Sequence, residues 1–140
     1  MTPAALAALH GRCFTTPRPW SEAAFAGLLP SVGVFVLGDA RGFVMGRAVA
    51  GEAEVLTLAV DPAQRRQGLA RELMAAFAAK ARELGAESAF LEVAEDNAAA
   101  IALYLSLGYA PVGHRRGYFK TPQGQHIDAL VLTRPLAPLL

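Results

Sequence analysis

Between Val55 and Arg71 the chain changes character twice. An apolar run, Val55-Leu-Thr-Leu-Ala-Val, is stopped by Asp61-Pro62, and a polar stretch, Ala63-Gln-Arg-Arg-Gln-Gly, leads into a helical pattern. From Gln67 to Leu84 the apolar residues Leu69, Leu73, Phe77, Ala81 and Leu84 recur at spacings of four and three, which makes one apolar helix face, and Gly85 ends it. A buried-looking strand, Ser88 to Val93, follows. A strand, a loop, a one-faced helix and a second strand define a crossover unit, so the chain must build a sheet with helices laid against it.

The flanking segments extend that frame. Thr2 to Phe14 reads as a helix with Ala5, Leu6 and Leu9 on one side and Gly11 near its end, and Thr15-Thr-Pro-Arg-Pro is a break. Ser21 caps a second helix, Glu22 to Leu29, ended by Pro30. The period then shortens. Val32–Leu37, Phe43–Ala50 and Ala53–Val60 read as strands, with turns at Gly38–Gly42 and Gly51–Glu52. Asn97 to Leu107 reads as a helix with Ile101, Tyr104 and Leu105 on one side, ended by Gly108. Tyr109–Phe119 and Ile127–Leu132 pair as late strands around the polar loop Lys120–His126. The expected fold is an α+β (mixed α/β) domain, residues 1–140, with a central mixed twisted sheet flanked by helices and two helical crossovers.

Composition narrows the function. The 140 residues are 54% hydrophobic and 18% charged, which excludes a disordered chain. A formal net charge of +1 gives no support for nucleic acid as a partner. The apolar stretch Ala23–Leu37 is divided by Pro30 and Ser31 and falls short of the ~20 residues of a membrane span, so no membrane partner is expected. With one cysteine, Cys13, no intramolecular disulfide can form, and a cytoplasmic location is expected. His10, His114 and His126 are scattered without zinc-ligand spacing, so no metal is expected. His114 and His126 read as solvated, and Cys13 as a packing residue.

The loop before the long helix carries the first chemical signal. A loop entering a helix N-terminus presents unpaired backbone N–H groups and a partial positive charge, which suits phosphate. Gly68 lets a phosphate approach the backbone closely, Ala70 is nearly as small, and Arg65, Arg66 and Arg71 add charge. No Lys-Ser or Lys-Thr follows, so it is not a nucleotide P-loop.

Arg65-Arg66-Gln67-Gly68-Leu69-Ala70 resembles the acetyl-CoA pyrophosphate loop of the GNAT acyltransferases, R/Q-x-x-G-x-G/A, and Val60-Asp61-Pro62 before it is similar to theirs. Asn97-Ala-Ala-Ala-Ile-Ala-Leu-Tyr104-Leu-Ser-Leu-Gly108-Tyr109 resembles the family's second hallmark, N-x-x-A-x-x-x-Y-x-x-x-G-F/Y. Together the two, in order and correctly placed on the elements, are far more specific than either alone. Within the family the chain is most similar to the RimI branch, whose members acetylate the N-terminal α-amine of a small-subunit ribosomal protein. Phe14-Thr-Thr-Pro-Arg-Pro-Trp20-Ser21-Glu22, Leu91-Glu92-Val93 and Arg115-Arg116-Gly117-Tyr118-Phe119 followed by Asp128-Ala129 carry that resemblance. Ala70, Gly117 and Phe119 depart from the branch pattern, and the last two fall in the expected substrate loop.

The resemblance implies acetyl-CoA as cosubstrate, held by Arg65, Arg66, Gln67, Gly68, Leu69, Ala70 and Arg71, with Asn97 on the pantetheine arm or a bridging water. Glu92 stands in the otherwise apolar run Ala89-Phe-Leu-Glu-Val-Ala, where a carboxylate lies at a cleft or takes a partner, and alternation sets it opposite Leu91 and Val93. The resemblance makes it the base that deprotonates the attacking amine. Tyr104, whose helical spacing with Ile101 and Leu105 alone reads as a core aromatic, matches the family's acid. A phenol of pKa ~10 can protonate a thiolate whose conjugate acid lies near ~8.5 at small thermodynamic cost. The resemblance also implies that the strand Leu58-Ala59-Val60 splays from its parallel neighbour and offers one backbone N–H to the thioester carbonyl. Trp20, Glu22, Tyr118 and Asp128 are the expected acceptor contacts; the other readings are that Trp20 staples the second helix and that Asp128 pairs with Arg115 or Arg116. The acceptor is expected to be a protein or peptide N-terminus. A small-molecule amine and a non-catalytic acyl-CoA-binding module are the alternatives. An exposed late strand would allow a monomer or a weak homodimer.

Overall fold

The computed structural model describes residues 1–14 and 18–136. The first three residues of the expected break after Phe14 lie outside them. The chain forms α1 (Pro3–Cys13), α2 (Glu22–Leu28), β1 (Val34–Asp39), β2 (Gly42–Val49), β3 (Glu52–Val60), a 3-10 turn (Pro62–Gln64), α3 (Leu69–Glu83), β4 (Ser88–Ala94), α4 (Ala98–Ser106), β5 (Ala110–Lys120) and β6 (His126–Pro135). The order expected from periodicity is the order found. Ser21 caps α2 by accepting from Ala24 N–H at 3.1 Å, and Thr2 caps α1 from Ala5 N–H at 3.1 Å.

The six strands make one mixed sheet in the order β1-β2-β3-β4-β6-β5. β1, β2 and β3 form an antiparallel meander, and β3 and β4 run parallel across the α3 crossover. β6 then inserts, antiparallel to both, between β4 and β5. The α4 crossover therefore reaches past one strand position, which pairwise patterning of the late strands does not reveal.

Helices cover both faces. One core packs α3 and α4 on the sheet, with Leu69, Leu73, Phe77, Ala81, Val55, Leu91, Val93 and Tyr104 buried in it. The other packs α1 and α2 on β2 and β3, with Leu6, Leu9, Phe25, Phe43, Met45 and Ala59. β2 is consequently buried on both faces from Gly42 to Gly46.

Three expected core positions lie outside. Leu84 is the residue after the last turn of α3 and is 48% exposed. Leu105 is 46% exposed, because α4 turns Ala100, Ile101 and Tyr104 toward the sheet. Ala5 is exposed, and His10 takes the inward position on α1.

Gly46 shows how tightly the α3 side is packed. A β-carbon there would stand 2.6 Å from the Phe35 ring and 2.7 Å from the Phe77 ring, which stack on each other at 5.8 Å between centroids. Both rings would have to move within a close-packed core. Gly46→Ala is expected to destabilise the fold by about 1–3 kcal/mol. A thermal melt beside the parent chain checks it, and an unchanged Tm would show that the two rings yield freely.

Candidate active site

The parallel pair β3–β4 is joined only from Glu52↔Ser88 to Val55↔Leu91. Beyond that point the strands part. The cause sits on the other edge of β3. Met45 pairs with Thr57 and Gly46 with Val55, so Leu56 is an extra residue without a partner. A β-bulge of this kind bends its strand and increases the local twist. The bend falls where pairing to β4 ends, and the expected splay is present.

The antiparallel ladder then sorts the freed backbone groups. Asp61 N–H donates to Arg41 O at 2.8 Å, so Asp61 points toward β2. Alternation turns Ala59 and Thr57 the same way and turns Leu58 and Val60 toward the open side. The Val60 carbonyl agrees, since it takes the Cys13 thiol at 3.2 Å instead of a strand neighbour. Ala59 is thereby removed from the expected carbonyl-polarising set, and its side chain is buried in the α1–α2 core.

At the end of β3 the loop enters α3 without a side-chain cap. Gly68 is the N-cap residue at φ +79°, and Arg66 also has positive φ, +66°. The first helical bond is Glu72 N–H to Gly68 O at 3.1 Å, so the N–H groups of Leu69, Ala70 and Arg71 have no partner within the helix. A β-carbon at Gly68 would meet nothing within 4 Å, so the requirement there is the left-handed backbone. Arg65, Arg66 and Gln67 are exposed around this N-terminus. Two of the expected contributions change. The Leu69 side chain belongs to the core, leaving only its backbone toward the loop. Arg71 reaches away to α4, donating to Ser106 Oγ at 2.8 Å.

Glu92 lies just past the last residue of β4 that pairs with β3, on the face opposite Leu91 and Val93 as alternation required. Its side chain is 11% exposed, and Arg115 Nε approaches Oε1 at 2.8 Å from β5. Arg115 is itself 58% exposed and lies over the Tyr118 ring at 5.3 Å. Burial, and then the Glu92 carboxylate, push the Tyr118 phenol up from its ordinary range. Glu92, Arg115 and Tyr118 therefore form one cluster beside the split.

Asp128 does not pair with an arginine. Its Oδ1 accepts the Gly117 N–H at 2.8 Å, while His126 Nδ1–H donates to Gly117 O at 3.1 Å. These two β6 side chains pin an irregular stretch of β5 between Arg115 and Phe119 that presents Tyr118. His126 is exposed but is not simply solvated. Asp128 also borders a hollow of about 410 Å³ with Glu95, Asp96, His126 and Ile127.

Asn97 is the residue before α4, not its first turn, and its Oδ1 caps the helix by accepting from Ala100 N–H at 3.2 Å. Its amide N–H donors are not used by that cap. Tyr104 is 7% exposed and meets Tyr109 edge to face at 6.0 Å. Burial first, and then Tyr109, push its phenol well above the usual range, so it is protonated at any working pH. Trp20 joins His10 and Phe25, with ring centroids at 5.3 Å from each, and Glu22 is exposed on the first turn of α2.

Sequence reasoning missed His10 and Thr57. Thr57 carried the same signal as Glu92, a polar residue in an apolar strand, and went unread. No helix among the described residues is long and apolar enough to cross a membrane.

The sheet is thus split between parallel strands, with an uncapped helix N-terminus at the mouth of the split and a carboxylate at its edge. The profile of the acetyltransferase (GNAT) family matches residues 5–109, and the chain belongs to that family of N-acetyltransferases. It is 36% identical over 126 residues to the [ribosomal protein bS18]-alanine N-acetyltransferase of Escherichia coli K12, covering 85% of this chain and 82% of that protein. It is 37% identical over 123 residues to the N-alpha-acetyltransferase RimI of Mycobacterium tuberculosis, covering 81% and 76%. The crystal structure of the ribosomal-protein-S18-alanine N-acetyltransferase from Escherichia coli superposes with a TM-score of 0.86 at 31% identity, covering 99% of this chain and 90% of that one.

Proposed function

We propose that residues 1–140 act as one catalytic domain that transfers the acetyl group of acetyl-CoA to the N-terminal α-amine of a protein. The parting of β3 and β4 beside Glu92 carries this reading, because it leaves backbone donors and a carboxylate facing one opening. The similarity to two N-terminal acetyltransferases over more than four-fifths of the chain supports the acceptor class.

In this mechanism the pyrophosphate of acetyl-CoA sits on the free N–H groups of Leu69, Ala70 and Arg71, with Arg65, Arg66 and Gln67 around it. The pantetheine arm runs along the open side of Leu58–Val60 and meets the Asn97 amide. The N–H of Leu58 or Val60 polarises the thioester carbonyl. Glu92, directly or through a water, takes a proton from the incoming α-ammonium, whose unperturbed pKa is only ~8. The freed amine attacks the carbonyl carbon, and the C–S bond breaks as the tetrahedral intermediate collapses. Tyr104 gives its proton to the departing sulfur. Burial keeps this phenol protonated and so able to donate, and makes it a weaker acid than a free phenol. Tyr118, Asp128 and the acidic hollow beside it line the acceptor's approach, where carboxylates attract an ammonium. Trp20, just before α2, and Glu22, on its first turn, border the approach.

The test is acetyl transfer read by mass spectrometry. Peptides with free and blocked N-termini, including one that begins with alanine, are offered together with small amines. Acetylation is expected only on free α-amines. Modification of small amines alone would replace the protein acceptor by a metabolite. A raised Tm on adding acetyl-CoA without any transfer would point to a binding module.

A further inference from the structure

The β3 segment from Leu56 to Val60 has lost one neighbour to the split, and the bulge at Leu56 interrupts the ladder on its other edge. A strand in that position needs another tie to hold its amides still. The last turn of α1 supplies it. Arg12 reaches Asp61 at 3.1 Å, Cys13 reaches the Val60 carbonyl at 3.2 Å, and His10 Nε2 meets Thr57 Oγ1 at 3.0 Å.

The His10 contact is the most constrained of the three. The ring is 1% exposed, stacked between Phe14 at 4.4 Å and Trp20 at 5.3 Å, with Phe25 edge-on at 5.6 Å. Its Nδ1 accepts the backbone N–H of Trp20 at 3.1 Å. A backbone N–H can only donate, so Nδ1 carries no proton, and the neutral ring must hold its proton on Nε2. His10 therefore donates to Thr57 in a single tautomer. Thr57 is bonded directly to the nitrogen of Leu58, and that N–H faces the open side of the sheet. The same ring fixes the backbone at Trp20, where the chain enters α2.

We infer that His10, acting through Thr57, is a positioning residue that sets the Thr57–Leu58 peptide so that the Leu58 N–H meets the thioester carbonyl. His10 touches no reactant. The inference rests on the mechanism above only for the placement of acetyl-CoA along β3, not for the identity of the acceptor.

The carbonyl stretch of bound acetyl-CoA, carrying 13C at the thioester carbon, reads this contact directly. In the parent chain the band is expected to lie below that of free acetyl-CoA, as a hydrogen bond requires. Thr57→Val keeps the shape and removes the acceptor for His10. It is expected to bind acetyl-CoA as before, lose most of the band shift and lower kcat by up to about 10²-fold, the scale of a displaced catalytic group. Thr57→Ser restores the hydroxyl and should restore both. A band shift kept in Thr57→Val, or lost as fully in Thr57→Ser, overturns the inference. Should Thr57→Val fail to bind acetyl-CoA, His10→Asn decides. Asn reproduces the Nδ1 acceptor but not the Nε2 donor, so a lost shift with acetyl-CoA bound supports the inference and a kept one overturns it. A parent chain that shifts the band yet acetylates no peptide would lose its proposed acceptor while this role stands.

Discussion

Replacing Glu92 by Gln is expected to lower kcat by about 10²- to 10⁴-fold, the range of a positioned general base, with acetyl-CoA affinity unchanged. The substitution keeps the shape of the side chain and removes its ability to take a proton. It also removes the charge that Arg115 pairs with, and that second effect must be separated from the first. Arg115 is 58% exposed, so losing its partner leaves a solvated guanidinium and costs little stability. Arg115→Gln is therefore the control, expected to leave kcat within a few-fold. Steady-state rates on a free-amine peptide and the Kd for acetyl-CoA check both chains. Equal rates for Glu92→Gln and the parent would remove Glu92 as the base. A loss in Arg115→Gln as large as that in Glu92→Gln would make the ion pair, and not proton transfer, the reason Glu92 matters.

Acid is expected to weaken the fold through His10 before it reaches the carboxylates. Burial lowers the His10 pKa from 6.5 to about 4, because the ring sits among Phe14, Trp20 and Phe25 with both nitrogens engaged. Between those values the unfolded chain binds a proton that the folded chain refuses. The stabilising contribution of His10 is complete above about pH 6.5, and it declines as pH falls, by up to ~1.4 kcal/mol per pH unit. The total over the window is on the order of 3 kcal/mol, a large part of a typical domain's stability. Asp39 and Asp61 also have lowered pKa values, the first through Arg41 and the second through the Ala63 N–H and Arg12. Their stabilisation is lost only below the ordinary carboxylate range, so the two acid effects separate by pH. Urea unfolding from pH 7 to pH 4, followed by the emission of Trp20, the only tryptophan, reads the slope. His10→Asn should flatten it. Parallel curves for the two chains would assign the acid sensitivity to another group.

The site joins two levels of construction. Its phosphate end is local. Gly68, with φ +79°, and the uncapped start of α3 lie within a few residues of one another, so their chemistry can be read in the chain. Its reacting end is assembled from β3, β4, β5 and α4, which meet only through the sheet order. Arg115 illustrates the difference. Its place in the sequence allowed a pairing with Asp128, but the insertion of β6 between β4 and β5, with the irregular stretch after Arg115, brings it to Glu92 and leaves Asp128 to the Gly117 N–H.

The sequence by itself determined the elements, their order, the caps at Ser21 and the glycine-led turn into α3, because each depends on periodicity or on backbone rules acting over a few residues. It also determined which face of β4 carries Glu92, since a strand alternates regardless of its neighbours. Only the tertiary structure decided where β3 leaves β4, which amides the parting frees, and which side chains hold them. Those depend on a bulge at Leu56 that is defined by its partner strand, and on His10 meeting Thr57 across 47 positions of sequence. Hydrogen bonds at that separation are fixed by packing, and no local pattern encodes them.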